Sequence, residues 1–150
     1  MKEASESLLS AVSAEQRYPI PRTNPLKRSE KLTAVFPTDF YVAAGESVGI
    51  VGESGSGKTT LCRMLVGQER PAGGKILYRS RDIWDRGFDK RAFRRRVQMV
   101  FQNPKSSFDP RMSVFDALQE PMKSLRIEGD PKQQVTSVLD QISLDSKSAH

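Results

Sequence analysis

The sequence has 150 residues, of which 37% are hydrophobic and 28% charged, and carries a formal net charge of +6. That length suits one ordinary domain, long enough to bury roughly two-thirds of the surface its unfolded chain exposes. Its apolar runs fall far short of the ~18 residues a membrane span needs, residues 1–17 lack the apolar stretch of an export signal, and the single cysteine, Cys62, excludes an internal disulfide. A cytoplasmic protein in a reducing compartment is expected, with Cys62 as a free buried thiol.

Residues 1–30 mix Ser, Glu, Arg and the prolines Pro19, Pro21 and Pro25, a composition that sustains neither a helix nor a central strand, so a flexible leader is expected. From Leu32 to Val42 the residues Thr33, Val35, Phe36, Phe40 and Val42 predict short antiparallel strands, interrupted at Pro37 and closed by Gly45, with Phe36 in the core. A short buried strand follows at Ser47–Val51. Leu61, Met64 and Leu65 then fall at i, i+3 and i+4 of a helix ending near Gly67. Lys75–Tyr78 reads as a strand, Asp89 as the cap of a short basic helix, and Val97–Phe101 as a strand leading to Gln102. Beyond Pro110 the pattern turns helical. Ser113 caps a helix that stops near Pro121, and Asp130-Pro131 opens another, with Gln133 placed as a capping-box partner and Val135, Val138, Leu139 and Ile142 as its apolar stripe.

Between Lys75 and Arg96 nine basic residues face only Asp82, Asp85 and Asp89. Such a run attracts anions. No aromatic residue interrupts Arg94-Arg95-Arg96 and no nucleic-acid fold signature accompanies it, so a solvated helix face or partner contact is expected, with no nucleic acid.

Between the expected strand at Ser47–Val51 and the helix lies Gly52-Glu53-Ser54-Gly55-Ser56-Gly57-Lys58-Thr59-Thr60. Glycines at 52, 55 and 57 permit backbone angles that turn amide N–H groups inward around phosphate oxygens. The helix that begins near Lys58 adds the positive end of its dipole. Lys58 is placed to reach the β- and γ-phosphates of ATP, the Thr59 hydroxyl to ligate a bridging Mg²⁺, and Thr60 to touch the α-phosphate region. The strand before and the apolar helix after the loop supply the context the motif requires. Gln102, at the end of the Val97–Phe101 strand, stands where parallel sheets present ligand-binding residues, and its carboxamide oxygen suits Mg²⁺ or a water.

The loop at 52–61, together with Gln-Met-Val-Phe-Gln-Asn-Pro-Lys-Ser-Ser-Phe-Asp-Pro-Arg-Met-Ser-Val at 98–114, resembles the ATP-binding subunits of ABC transporters, in particular the oligopeptide, dipeptide and nickel importers. The resemblance runs loosely from Leu32 to Ile142. It implies an α/β fold of the P-loop NTPase, ABC ATPase type: an antiparallel β piece and part of a parallel core over 31–110, then the start of a helical subdomain over 111–150, with a hinge at Phe101–Ser107. It also implies that Gln102 contacts Mg²⁺ and the attacking water. The implied partners are membrane permease subunits, a second ATP-binding subunit, identical or paralogous, and indirectly a solute-binding protein, on the cytoplasmic face of the membrane.

The departures from the family pattern are specific. The 150 residues contain no Leu-Ser-Gly-Gly-Gln, no Asp-Glu pair, and no histidine other than His150, so the family's signature, catalytic glutamate and switch histidine have no counterparts. The expectation is the first half of a subunit, binding nucleotide without turning it over. No aromatic residue in Leu26–Val35 matches the family's adenine-stacking position; Tyr18 qualifies only if the leader folds back. Rival readings are a non-hydrolysing nucleotide- or permease-binding regulatory fragment, supported by the helices at 113–143, and a nucleotide kinase or GTPase, disfavoured by the absence of Asn-Lys-x-Asp. Without the strand that pairs with it in the family, Val48–Val51 keeps an open apolar edge. Marginal stability follows, and a sharp thermal transition unaltered by fusion to the missing half of a subunit would refute it.

Overall fold

The computed structural model describes residues 7–21, 30–103 and 109–143. The chain divides into two compact units, Met1–Phe93 and Arg94–His150. In the first, strands β1 (Leu9–Pro19), β2 (Lys31–Val42), β3 (Gly73–Tyr78) and β4 (Arg81–Asp82) form one antiparallel sheet in the order β2-β1-β3-β4. Helix α1 (Lys58–Leu65) packs against β1 and β2.

The expected leader is therefore corrected over 9–19, where the chain forms an interior strand of the sheet. Leu9 pairs with Val42 on one side and Tyr78 on the other, and Ala11 with Phe40 and Ile76. Ala11 and Ala14 are fully buried, small residues that leave room for Leu61, Met64, Leu65 and Ile76 in the core. Between them β1 bulges at Ser13 (φ 45°), whose N–H donates to Asp39 Oδ1 at 2.6 Å. The backbone of β3 closes on this bulge. A Cβ on Gly74 (φ +73°) would lie 2.1 Å from the Ser13 carbonyl oxygen, so only glycine passes here.

Strand β2 runs unbroken through Pro37. A proline has no N–H to give a ladder, but β2 is the outermost strand, and its register against β1 shifts around this point. Phe36 is 72% exposed rather than part of the core. Ser47–Val51 forms no ladder among the described residues, and Val51 is 95% exposed. Val97–Phe101 is likewise irregular, with Val100 94% exposed. Both stretches have the β-branched composition of buried strands, but no described strand pairs with either, and composition alone forms no ladder.

The local signals hold. Helix α1 buries Leu61, Met64 and Leu65 and gives way to Gly67. In helix α2 (Lys90–Arg96), Asp89 Oδ1 accepts from the N–H groups of Arg91 and Ala92 at 3.0 and 2.9 Å. Its Phe93 meets Tyr78 and Phe88 edge to face, with ring centroids 5.2 and 5.8 Å away.

In the second unit Ser113 caps helix α3 (Val114–Ser124) by accepting from the Asp116 N–H. Asp130 caps helix α4 (Pro131–Gln141) by accepting from the Lys132 N–H. Helix α3 does not stop at Pro121. The next residue, Met122, is buried with Phe115, Val135 and Leu139, and that packing offsets the hydrogen bond the proline cannot make. The side chain that reaches back at the start of α4 is Gln134, donating to the Glu128 carbonyl at 2.8 Å, rather than Gln133. Arg95, one of the basic run, donates from Nε to the Leu125 carbonyl at 3.0 Å and from Nη2 to the Arg126 carbonyl at 2.6 Å, holding the C-terminal end of α3. The expected hinge at Phe101–Ser107 falls largely outside the described residues.

Because Ile76 is fully buried on β3 beside Ala11 of β1, Ile76→Ala should cost about 2–5 kcal/mol. Urea unfolding followed by the fluorescence of Trp84, the only tryptophan, measures it.

Candidate nucleotide-binding site

The sheet and α1 seat the glycine loop through one backbone contact. Gly57 ends the loop at the N-cap of α1 with φ 89°. A Cβ there would meet the Ala34 carbonyl oxygen of β2 at 2.3 Å and the Val35 side chain at 3.1 Å. Glycine is thus required twice, by its torsion and by the approach to β2. The loop and this part of β2 line a shared cleft, with Thr33, Val35 and Phe36 on one side and Gly52, Ser56 and Lys58 on the other.

Within the loop the Ser56 N–H donates to the Glu53 carbonyl at 3.2 Å, and the Leu61 N–H to the Gly57 carbonyl at 2.9 Å as α1 starts. The Lys58 ammonium turns back over the loop. It donates to the carbonyls of Gly52 and Glu53 at 2.8 and 2.6 Å and to Ser56 Oγ at 3.3 Å. The first turn of α1 contains no acidic residue, so nothing there opposes an anion at its positive end. An anion entering the loop would exchange these neutral carbonyls for charged oxygens, which hold an ammonium more strongly.

The structure gathers Gly52, Glu53, Ser54, Gly55, Ser56, Gly57, Lys58, Thr59 and Thr60 into this one loop and helix start. Glu53, Ser54 and Thr59 are exposed, leaving the Thr59 hydroxyl free to meet a hard cation beside bound phosphates. Gln102 belongs to the second unit, where it is exposed in an irregular stretch rather than at a strand end.

Tyr18 is the residue the sequence left conditional. With β1 in the sheet it is half-buried beside α1, its hydroxyl in reach of Glu69 and Thr60. Burial, reinforced by the Glu69 carboxylate, pushes the phenol above its ordinary value, while the Thr60 hydroxyl works the other way. Glu69 was not foreseen at all; it lies after α1, and only folding carries it to β1. The neutral phenol is the form the fold stabilises. As pH rises past the unfolded value of about 10, the unfolded chain releases its proton first and stability falls. Tyr18→Phe should flatten that alkaline loss, as read from thermal midpoints across the range.

Residues 35–150 match the ABC transporter family. The chain is 40% identical over 121 residues to the nickel import ATP-binding protein NikE of Pseudomonas putida, covering 79% of this chain and 43% of that protein. It is 35% identical over 119 residues to the dipeptide transport ATP-binding protein DppF of Escherichia coli, covering 78% and 35%. The matched segments thus cover less than half the length of these relatives. Among solved structures, the ATP-binding cassette MJ0796, in a dimeric post-hydrolysis state with ADP and Pi, superposes with a TM-score of 0.73 at 18% identity, over 94% of this chain and 60% of that one. CbiO1 of Clostridium perfringens superposes at 0.61, also at 18% identity, over 96% and 53%. By sequence match and by fold, the chain belongs to the ABC transporter family, and its α/β architecture is part of that of an ABC ATPase domain.

Proposed function

We propose that the chain binds ATP with Mg²⁺ as part of an ATP-binding subunit that energises uptake of peptides or a related solute such as nickel, the cargoes named for its relatives. The observation that carries this is the glycine loop seated against β2 at Gly57, with the Lys58 ammonium inside it. In this reading Gly52–Thr60 cradles the phosphates and Lys58 pairs with the β- and γ-oxygens. Thr60 lies by the α-phosphate, and Tyr18, brought beside α1, stacks on the adenine. Thr59 would hold Mg²⁺, which when bound neutralises charge on the phosphates.

The proposed functional division places the nucleotide core over 31–110, now extended by β1, and the start of the helical, permease-facing part over 111–150. Partners are the permease subunits, a second ATP-binding subunit and, indirectly, a solute-binding protein, at the cytoplasmic face of the membrane. No described helix is long and apolar enough to cross one.

Hydrolysis in this family draws on a glutamate base and on a signature loop from across a dimer, contacts made in the transition state rather than in the ground state. The 150 residues contain neither the Asp-Glu pair nor Leu-Ser-Gly-Gly-Gln. We therefore expect this chain by itself to bind ATP without turning it over. Titration with fluorescent ATP and Mg²⁺ should show binding that Lys58→Ala abolishes, with no phosphate released by either protein. Phosphate release by the unsubstituted chain, lost in Lys58→Ala, would place a catalytic base within these residues and refute that expectation.

A further inference from the structure

The hairpin of β3 and β4 and the turn that follows it carry cations laid over aromatic rings. Tyr78 pairs with Arg81 across the hairpin, and the two residues between them, Arg79 and Ser80, take φ of 49° and 62°, the left-handed pair that a two-residue turn requires. Arg79 thus stands at the hairpin tip, its guanidinium 5.6 Å from the centre of the Tyr78 ring. Tyr78 meets Phe93 edge to face, Phe93 meets Phe88, and the Arg81 guanidinium lies 6.0 Å from the centre of the Phe88 ring. Lys90, whose N–H donates to the Phe88 carbonyl at 2.9 Å, holds its Nζ 4.4 Å from the centre of the Trp84 ring. Arg86 lies in the turn that the Phe88 N–H closes on the Asp85 carbonyl at 3.2 Å. These contacts join residues 78–93 of the first unit into one surface, on which Arg79, Arg81, Arg86 and Lys90 are exposed while Tyr78, Trp84 and Phe88 are half-buried. Of the three aspartates in this stretch, Asp82 and Asp89 direct their carboxylates to backbone N–H groups.

We propose that this surface docks directly on an anionic phospholipid bilayer. The proposal deepens the membrane-face location given above and rests on it, adding a lipid contact of the chain's own. A cation over a ring has its stem held down while its charge stays in water, so it meets a lipid phosphate with less side-chain ordering than a free lysine or arginine. Each such cation near an anionic leaflet strengthens binding by about fivefold, and tryptophan and tyrosine beside basic residues are the side chains that settle at headgroup level. A bilayer also fits the layout, because charges spread over a hairpin tip, a turn and a helix start need no groove and no fixed register to meet it. Single-stranded nucleic acid fits less well: it needs free ring faces for its bases, and the rings of Tyr78, Phe88 and Trp84 already lie under Arg79, Arg81 and Lys90.

The test mixes the full chain with vesicles of phosphatidylcholine alone or of phosphatidylcholine with phosphatidylglycerol. Binding is read by co-sedimentation and by the emission of Trp84, the only tryptophan, which lies within the surface. Vesicles containing phosphatidylglycerol should bind the chain and shift that emission, vesicles of phosphatidylcholine alone should do neither, and added salt should weaken the binding. Arg86→Gln should weaken it by about fivefold, and Arg81→Gln combined with Lys90→Gln by about twenty-fivefold. Arg86 has no ring contact, so its variant decides the matter even if loss of the two stacked cations disturbs the fold. Equal binding to both kinds of vesicle, or full binding by Arg86→Gln and by the double variant, would overturn the proposal. Sedimentation with no change at Trp84 would place the contact elsewhere on the chain and overturn it too. So would tighter binding, at equal charge concentration, to a single-stranded oligonucleotide or to polyglutamate, which would assign the surface to nucleic acid or to an acidic protein. Titration of the same variants with ATP tests the nucleotide reading separately, because none of these residues belongs to the phosphate loop, and a chain that binds ATP but no vesicle loses only the lipid contact.

Discussion

The carbonyl oxygen of Ala34 lies 2.3 Å from where a Cβ on residue 57 would be, and this close passage of two backbones seats the glycine loop. It makes β2 the wall of the phosphate loop, so the geometry of the loop depends on where β2 sits. Strand β2 in turn is held by β1 along most of its length, and β1 is held on its other side by β3. A loop that reads as a local motif is therefore seated by a sheet whose strands come from three separate parts of the chain.

The sheet tolerates this arrangement because β1 is built from small and polar residues where it is most crowded. Ala11 and Ala14 leave space for the side chains of α1 and β3 on the buried face, and Gly74 lets β3 pass the bulge at Ser13. The polar residues of β1 are not idle in this interior. Gln16 spends its amide hydrogens on Glu69 and the Arg70 carbonyl, satisfying the requirement that a buried carboxamide find partners. The same bonds fasten the chain leaving α1 to the strand that carries Tyr18. Packing of the core and the placement of Tyr18 on a strand that packs against α1 are two results of one strand entering the sheet.

Electrostatics are arranged with similar economy. The nine basic residues between Lys75 and Arg96 against three aspartates account for the whole net charge of +6. Several of these cations lie over aromatic rings instead of meeting carboxylates: Lys90 Nζ is 4.4 Å from the centre of the Trp84 ring, and the Arg79 and Arg81 guanidinium groups are 5.6 and 6.0 Å from those of Tyr78 and Phe88. Asp82 and Asp89 are used on backbone N–H groups, and Arg95 on the carbonyls at the end of α3. Much of the basic run thus serves the local fold, through contacts that its composition did not disclose.

What the sequence determined by itself is what depends on neighbours within about four residues. The passage from the glycine-rich segment into α1 at Gly57, the apolar stripe of α1, and the caps at Asp89, Ser113 and Asp130 are all present where the residues place them, because caps and helical stripes form between residues close along the chain. The tertiary structure alone decided the rest. Strand β1 looked like a leader because prolines end and follow it and its buried residues are Ser10, Ala11, Ala14 and Gln16, a weak β signal; its place comes from pairing Leu9 with Val42 and Tyr78, more than thirty residues away. Val48–Val51 and Val97–Phe101 carried the β signal and form no ladder among the described residues, because a ladder needs a partner strand and composition supplies none. Tyr18 and Glu69, some fifty residues apart, meet only once β1 lies against α1, and no local pattern in either segment encodes that meeting.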